Sequence, residues 1–236
     1  NDSRYNEEDL LAVIDHLRLE GGKKFSFSNL DIARDFFQAP PEGQWSPTDL
    51  IKGREVLLLG TGPGVSEHRM ALQEYIRKHH PLVIALNTQS AIDADLIQLR
   101  VACHPVRLLA DCEAHRALPQ PLVTPVSMLS DDVKNALVGK ELLDFGLAVA
   151  SNRFEFHNTY CTLPMSLVIA YALAIASSGK SKRVLMAGFD GYGSDDPRRV
   201  EMDKVLHLYA NQKEAVPLIA ITATLYDLPK QSIYAL

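Results

Sequence analysis

Short apolar runs at residues 56–59, 82–86, 99–103, 122–126, 183–187 and 218–222 alternate with polar stretches of helical pattern from Glu55 onward. The runs are not broken by the regular polar alternation of a strand with one wet face, so each suits a strand buried on both faces. Helices between such strands imply parallel crossovers, which makes the expected class α/β with a mostly parallel central sheet. No internal repeat is visible. Ligands of such sheets bind outside the carboxyl ends of the strands, and that is where functional residues are sought.

The first 50 residues read differently. An amphipathic helix is expected over 7–19, a turn at Gly21-Gly22 and a second helix near 30–37, followed by Pro40-Pro41 and Ser46-Pro47. The expected organisation is a helical preface over 1–50 and one α/β domain over 51–236. The chain opens at Asn1 directly in a helical pattern, as a fragment of a longer protein would.

Composition removes several classes of function. A formal net charge of −5 lacks the basic footprint of a nucleic-acid binder. The longest strongly apolar run, 167–176, falls short of the roughly 18–20 residues of a membrane helix and reads as a buried helix. With no leader pattern, and with Cys103, Cys112 and Cys161 set among apolar or strand-like residues, reduced thiols and a cytoplasmic location are expected. Cys103-His104 with Cys112 and His115 matches no common zinc spacing, so no metal is expected, and buried thiols with surface histidines are the simpler reading.

The run at 56–59 enters Gly60-Thr61-Gly62-Pro63-Gly64-Val65-Ser66, a strand, a glycine turn and a helix start. Glycines let a backbone turn tightly and approach an anion, and Ser66 is a candidate helix cap. A plain strand-to-helix turn uses the same residues. The dinucleotide fingerprint needs glycine where Val65 stands and an acid where Asn87 ends the second run, which argues against NAD. Gly179-Lys180-Ser181 follows a helix instead of opening one, so it is a helix stop and not a P-loop. Asn87 offers a donor and an acceptor to ribose or base, or equally a local turn.

Two further segments carry candidate chemistry. Arg153-Phe154-Glu155-Phe156-His157 alternates like a half-buried strand, and Thr162-Leu163-Pro164 is expected to cap the helix ending near Ser178. That would set His157 ahead of a helix N-terminus, whose dipole keeps an imidazole neutral and fit to act as a base. A lone histidine is also often structural. The run at 183–187 closes on Gly188-Phe189-Asp190-Gly191-Tyr192, where Asp190 is expected to support the site as an anchor or substrate contact.

Together, Gly60-Thr-Gly-Pro-Gly, Ala85-Leu-Asn-Thr-Gln, Phe154-Glu-Phe-His-Asn-Thr-Tyr and Ala187-Gly-Phe-Asp-Gly-Tyr resemble, in order and spacing, four motifs of the bacterial sialyltransferases of glycosyltransferase family 42. The resemblance implies a Rossmann-like domain, no metal, a CMP-sugar donor and an acceptor small molecule or glycan. It implies His157 as general base, Asp190 as the strand-end acid, and Gly60, Gly62, Pro63 and Asn87 at the cytidine nucleotide, with Thr61 and Gly64 of the same loop standing where that family has Asn and Ser. The stretch 127–153 holds no tyrosine, where that family places two on the departing phosphate, so Tyr160, Tyr192 or Thr222 would have to substitute. The chain also resembles the glycosyltransferase-like region that follows a 4-hydroxy-2-oxovalerate aldolase-type barrel in some surface-polysaccharide proteins. A non-catalytic nucleotide-sugar-binding or regulatory domain of such a protein is therefore the second expectation.

Overall fold

A computed structural model describes residues 40–193 and 196–236. The helices expected over 7–19 and 30–37 lie outside the described residues. In chain order the strands are β1 (Glu55–Leu59), β2 (Leu82–Leu86), β3 (Leu99–Val101), β4 (Leu122–Thr124), β5 (Leu142–Asp144), β6 (Gly146–Val149), β7 (Glu155–Phe156), β8 (Tyr160–Leu163), β9 (Arg183–Ala187) and β10 (Leu218–Ala220). The main helices are α1 (Thr48–Ile51), α2 (Gly64–Glu67), α3 (Arg69–His79), α4 (Pro105–Ala110), α5 (Cys112–Ala117), α6 (Asp131–Ala136), α7 (Val168–Ser178) and α8 (Pro197–Ala210).

Seven strands form one all-parallel sheet in the order β10-β9-β1-β2-β3-β4-β5. From β1 the chain builds outward through β2 to β5, then returns to the other side of β1 to lay down β9 and β10. The order therefore reverses between β1 and β9, which is the crevice where doubly wound sheets bind ligands. Each of the six apolar runs read from the sequence contributes a strand to this sheet.

Successive side chains on a strand point to opposite faces, and both faces here are covered. Val56, Leu58, Ile84, Val184 and Met186 pack with α7 in one cluster. Leu57, Leu59, Val83, Leu185 and Ala187 pack with Leu72, Tyr75 and Ile76 of α3 in a second. The result is a Rossmann-like three-layer α/β fold. α7 is buried along almost its whole length, as the run at 167–176 foretold. No helix among the described residues is long and apolar enough to cross a membrane.

β5 was not legible because it is short, half-buried and at the sheet edge. Beyond it a second sheet, β6-β8-β7, pairs β6 and β8 in parallel and β7 and β8 in antiparallel fashion. This corrects the reading of residues 162–164. Thr162 is a strand residue paired with both β6 and β7, Leu163 is paired with Val149 of β6, Pro164 sits in a bend, and α7 begins only at Val168, with Leu167 as an N-cap that offers no side-chain bond. Strand pairing on both sides outcompetes a helix cap. At the other end of α7 the stop stands as expected, with Gly179 as C-cap. A Cβ there would lie 2.6 Å from Cβ of Ile51, so the glycine admits α1 against α7.

The three cysteines are free, Cys103 and Cys161 buried and Cys112 half-buried. The neighbouring histidines are not surface residues. His115 is 1% exposed and His104 half-buried, and burial, with Arg107 near His104 and with Lys140 and then Arg100 near His115, holds both rings down to about 4. A depressed histidine pKa means that the unfolded chain binds the proton first. Stability is full above the unfolded value of about 6.5 and falls as pH drops toward 4, by up to about 3 kcal/mol per ring. Denaturant unfolding at a series of pH values is expected to show this acid loss, and His115→Gln to flatten it.

Candidate functional site

The glycine loop lies at the β1/β9 crevice. Gly60 N donates to Ala187 O at 2.8 Å, Gly62 N to Gly188 O at 3.0 Å, and Gly188 N to Oγ1 of Thr222 at 3.0 Å. The Asp190 carboxylate accepts from Gly64 N at 3.1 Å. A Cβ on Gly60 would strike Gly188 O, and one on Gly62 would strike the Asp190 carboxylate and Gly188 O. Gly188 itself sits at φ +73°, with Val65 against the space its own Cβ would fill. The glycines are thus required because loops from adjacent strands interleave with no side-chain volume between them.

Ser66 does not cap this helix. It is the third residue of α2, behind an N-cap at Pro63, which has no side-chain acceptor to offer. The acceptor comes instead from Asp190, 126 positions away. Three of the four N–H groups in residues 60–64 are thereby bonded within the protein, and the fourth belongs to Thr61, an exposed residue.

Asn87 closes β2 in the left-handed region at φ 50°. Its N–H donates to Val101 O at 2.9 Å and its carbonyl accepts from Nη1 of Arg100 at 3.3 Å, so the backbone is held on both sides. Two residues on, Gln89 Nε2 donates to Gly60 O at 2.6 Å and joins this loop to the glycine loop. On the other flank Leu225 N donates to Asp190 O and Thr224 Oγ1 to Phe189 O. Loops after β1, β2, β9 and β10 therefore form one hydrogen-bonded crest holding Gly60, Thr61, Gly62, Pro63, Gly64, Asn87, Asp190 and Thr222. Gln89 and Arg100 were missed as participants. The signal for Arg100 was a charge inside an apolar run.

His157 stands apart, in the turn between β7 and β8. Its N–H donates to Tyr160 O at 3.0 Å, its ring stacks on Tyr160 at 4.2 Å, and Nε2 lies 3.6 Å from Oε2 of Glu155. Arg153, bonded to Glu155 at 2.6 Å, holds that carboxyl below its usual range. The imidazole is about a third exposed and lies beside the Glu155 carboxylate. The helix-dipole argument for its neutrality does not apply, because β8 separates it from α7. Among the described residues no hydrogen bond, ion pair or ring contact joins His157 to the crest.

Tyr192 is stacked under the guanidinium of Arg198 at 4.3 Å. Among the described residues no three His, Cys, Asp or Glu side chains are grouped to hold a metal ion. A cavity of about 660 Å³ runs beside β10, lined among others by Arg199, Asp203, His207, Leu225 and Asp227. None of the residues singled out in the sequence lines it, though Leu225 ties its rim to the crest.

No protein-family model matches the chain, and no curated protein matches it significantly in sequence. Among solved structures, the MAf glycosyltransferase from Magnetospirillum magneticum AMB-1 is similar in fold, with a TM-score of 0.61 at 11% identity. The match covers 98% of this chain and 43% of that one, so the chain spans less than half the length of the protein it resembles. The fold is therefore glycosyltransferase-like.

The interleaved crest makes a defined prediction. Gly62→Ala is expected to lower unfolding stability by about 1–3 kcal/mol, the usual cost of forcing volume into a packed region. Asp190→Asn, which keeps an acceptor for Gly64 N, should cost less than Asp190→Ala. Thermal denaturation of the three variants ranks them.

Proposed function

We propose that the chain is a glycosyltransferase-like domain that binds a nucleotide sugar of the cytidine type at the crest between β1, β2 and β9. The observation that carries this reading is the convergence of separate loop segments at the one place where the strand order reverses. Doubly wound sheets bind their ligands in that crevice, which supports this reading. In this reading Asn87 meets the nucleoside with its amide. The glycine loop lets the nucleotide approach the backbone closely, with the N–H of Thr61 directed to it.

The chemistry proposed is inverting and independent of metal. His157 takes the proton of an acceptor hydroxyl as that oxygen attacks the anomeric carbon, and the bond to phosphate breaks with inversion. Glu155 steadies the imidazolium that forms. An acceptor glycan or small molecule, a role in surface-polysaccharide synthesis and a cytoplasmic location complete the reading. Its support is the resemblance of the four motifs together with a fold shared with a glycosyltransferase.

A second reading is a non-catalytic nucleotide-sugar-binding or regulatory domain of a larger protein, such as one with an aldolase-type barrel. It is favoured by the absence of contact between His157 and the crest, and by the lack of tyrosines in 127–153.

Calorimetric titration with CMP, CTP and UDP separates these ideas from a purely structural crest. Binding of the cytidine nucleotides is expected, weakened about tenfold by Asn87→Ala, as suits loss of one hydrogen bond of about 1.4 kcal/mol. Silence toward all three at millimolar concentration removes both readings. If binding occurs, turnover of CMP-sialic acid by the wild type and not by His157→Ala supports catalysis. Absence of turnover in both leaves the binding domain.

A further inference from the structure

Arg100 is the largest fully buried side chain among the described residues, at 0% exposure in the middle of β3. Its surroundings contain no counterion: among the described residues no carboxylate bonds it, and the nearby titratable groups, His115 and Lys140, are themselves basic. Burial pulls the guanidinium down to about 10, a measure of how poorly the site suits a charge. Isolated buried charges are costly and are seldom kept for stability, since an apolar side chain of similar volume often does as well or better.

What the guanidinium does instead is hold one loop. Nη1 donates to Gln89 O at 2.7 Å and to Asn87 O at 3.3 Å, and Nε donates to Oε1 of Gln120 at 2.7 Å. Gln120 passes the anchor on to Ala94 O. Nη2 has no partner among the described residues. The segment it holds, residues 87–98, joins β2 to β3 with one 3-10 turn at Ala94–Leu96 and no α-helix, so no helical ladder fixes residues 87–91. Within it Asn87 adopts a left-handed conformation that asparagine tolerates but does not prefer. Gln89 reaches from it to the glycine loop.

We propose that Arg100 is a positioning residue: from beneath the sheet's crest it clamps the carbonyls of Asn87 and Gln89, and so fixes the Asn87 amide and the Gln89 bridge for nucleotide binding. This rests on the crest being the nucleotide site. The uncompensated charge is retained for the geometry of the loop, not for the stability of the core. Lysine would keep the charge but not the fork that spans two carbonyls and Gln120, so it rescues only in part.

The test uses the full chain with Arg100→Met and Arg100→Lys, read by thermal denaturation, by CMP calorimetry and by amide hydrogen exchange over residues 87–91. Arg100→Met is expected to melt at or above the wild-type temperature and to bind CMP at least tenfold more weakly. Its exchange at Asn87 and Gln89 should be at least tenfold faster, with Arg100→Lys intermediate in both. Unchanged exchange in Arg100→Met, or a melting temperature well below wild type with exchange raised throughout the sheet, overturns the proposal in favour of a packing role. Should the wild type bind no CMP while exchange rises only in the loop, the clamp stands and the nucleotide reading fails. Should CMP bind equally to wild type and Arg100→Met, the nucleotide reading stands and the positioning role fails.

Discussion

The close approach of the loops after β1 and β9 is the constraint around which the rest of the molecule is arranged. Gly60, Gly62 and Gly188 bring two backbones together with no side chain between them, and their N–H groups are satisfied across the gap by Ala187 O, Gly188 O and Thr222. Any Cβ at these positions would separate the loops and leave buried donors without acceptors. Because β1 and β9 are the pair at which strand order reverses, this contact also closes the floor of the crevice. The Asp190 carboxylate completes the lock by receiving the N–H of Gly64 at the start of α2. Glycine-rich sequence here is first a packing requirement.

Support for that crest comes from both faces of the sheet, by different means. On one side the apolar strand residues meet α7, an almost uniformly buried helix, and ordinary hydrophobic burial suffices. On the other, α3 covers β1 and β2, but the link between β2 and β3 contains no α-helix. There Ile92 and Ile97 of the link join the core, and Arg100 donates to the carbonyls of Asn87 and Gln89. A charge buried without a counterion is a poor way to stabilise a core and a good way to impose one conformation on an irregular segment.

The second sheet sets the other half of the candidate chemistry apart. Its strands follow β5 after a single residue, Phe145, which is fully buried and bonded to the hydroxyl of Tyr171. Phe154 and Phe156 pack on Tyr209 of α8, so β7 is held to the body of the domain while His157 remains accessible at its end. His157 on the second sheet and the crest on the first are thus carried by separate strand systems.

By itself the sequence determined the parts governed by local pattern. Apolar runs of four or five residues set between helical stretches suit strands covered on both faces, whereas the longer run at 167–176 suits a buried helix, and together they indicate the central sheet, its α/β class and the crest on which Gly60, Asn87, Asp190 and Thr222 fall. The alternation at 153–157 does hold the strand β7, but β5, β6, β8 and the start of α7 escaped, because these strands are half-buried or set in mixed sequence and are made by pairing with partners that local pattern does not name. The same limit hid the roles of particular residues. Nothing near Gly64 reveals that its cap is Asp190, and nothing near Asn87 reveals that Arg100 holds it. Nor does residue order alone put a strand between His157 and the helix that was expected to follow it. Tertiary structure decided these points, because hydrogen bonds between residues far apart in the chain depend on how strands are ordered in the sheet, and local propensity contains no record of that order.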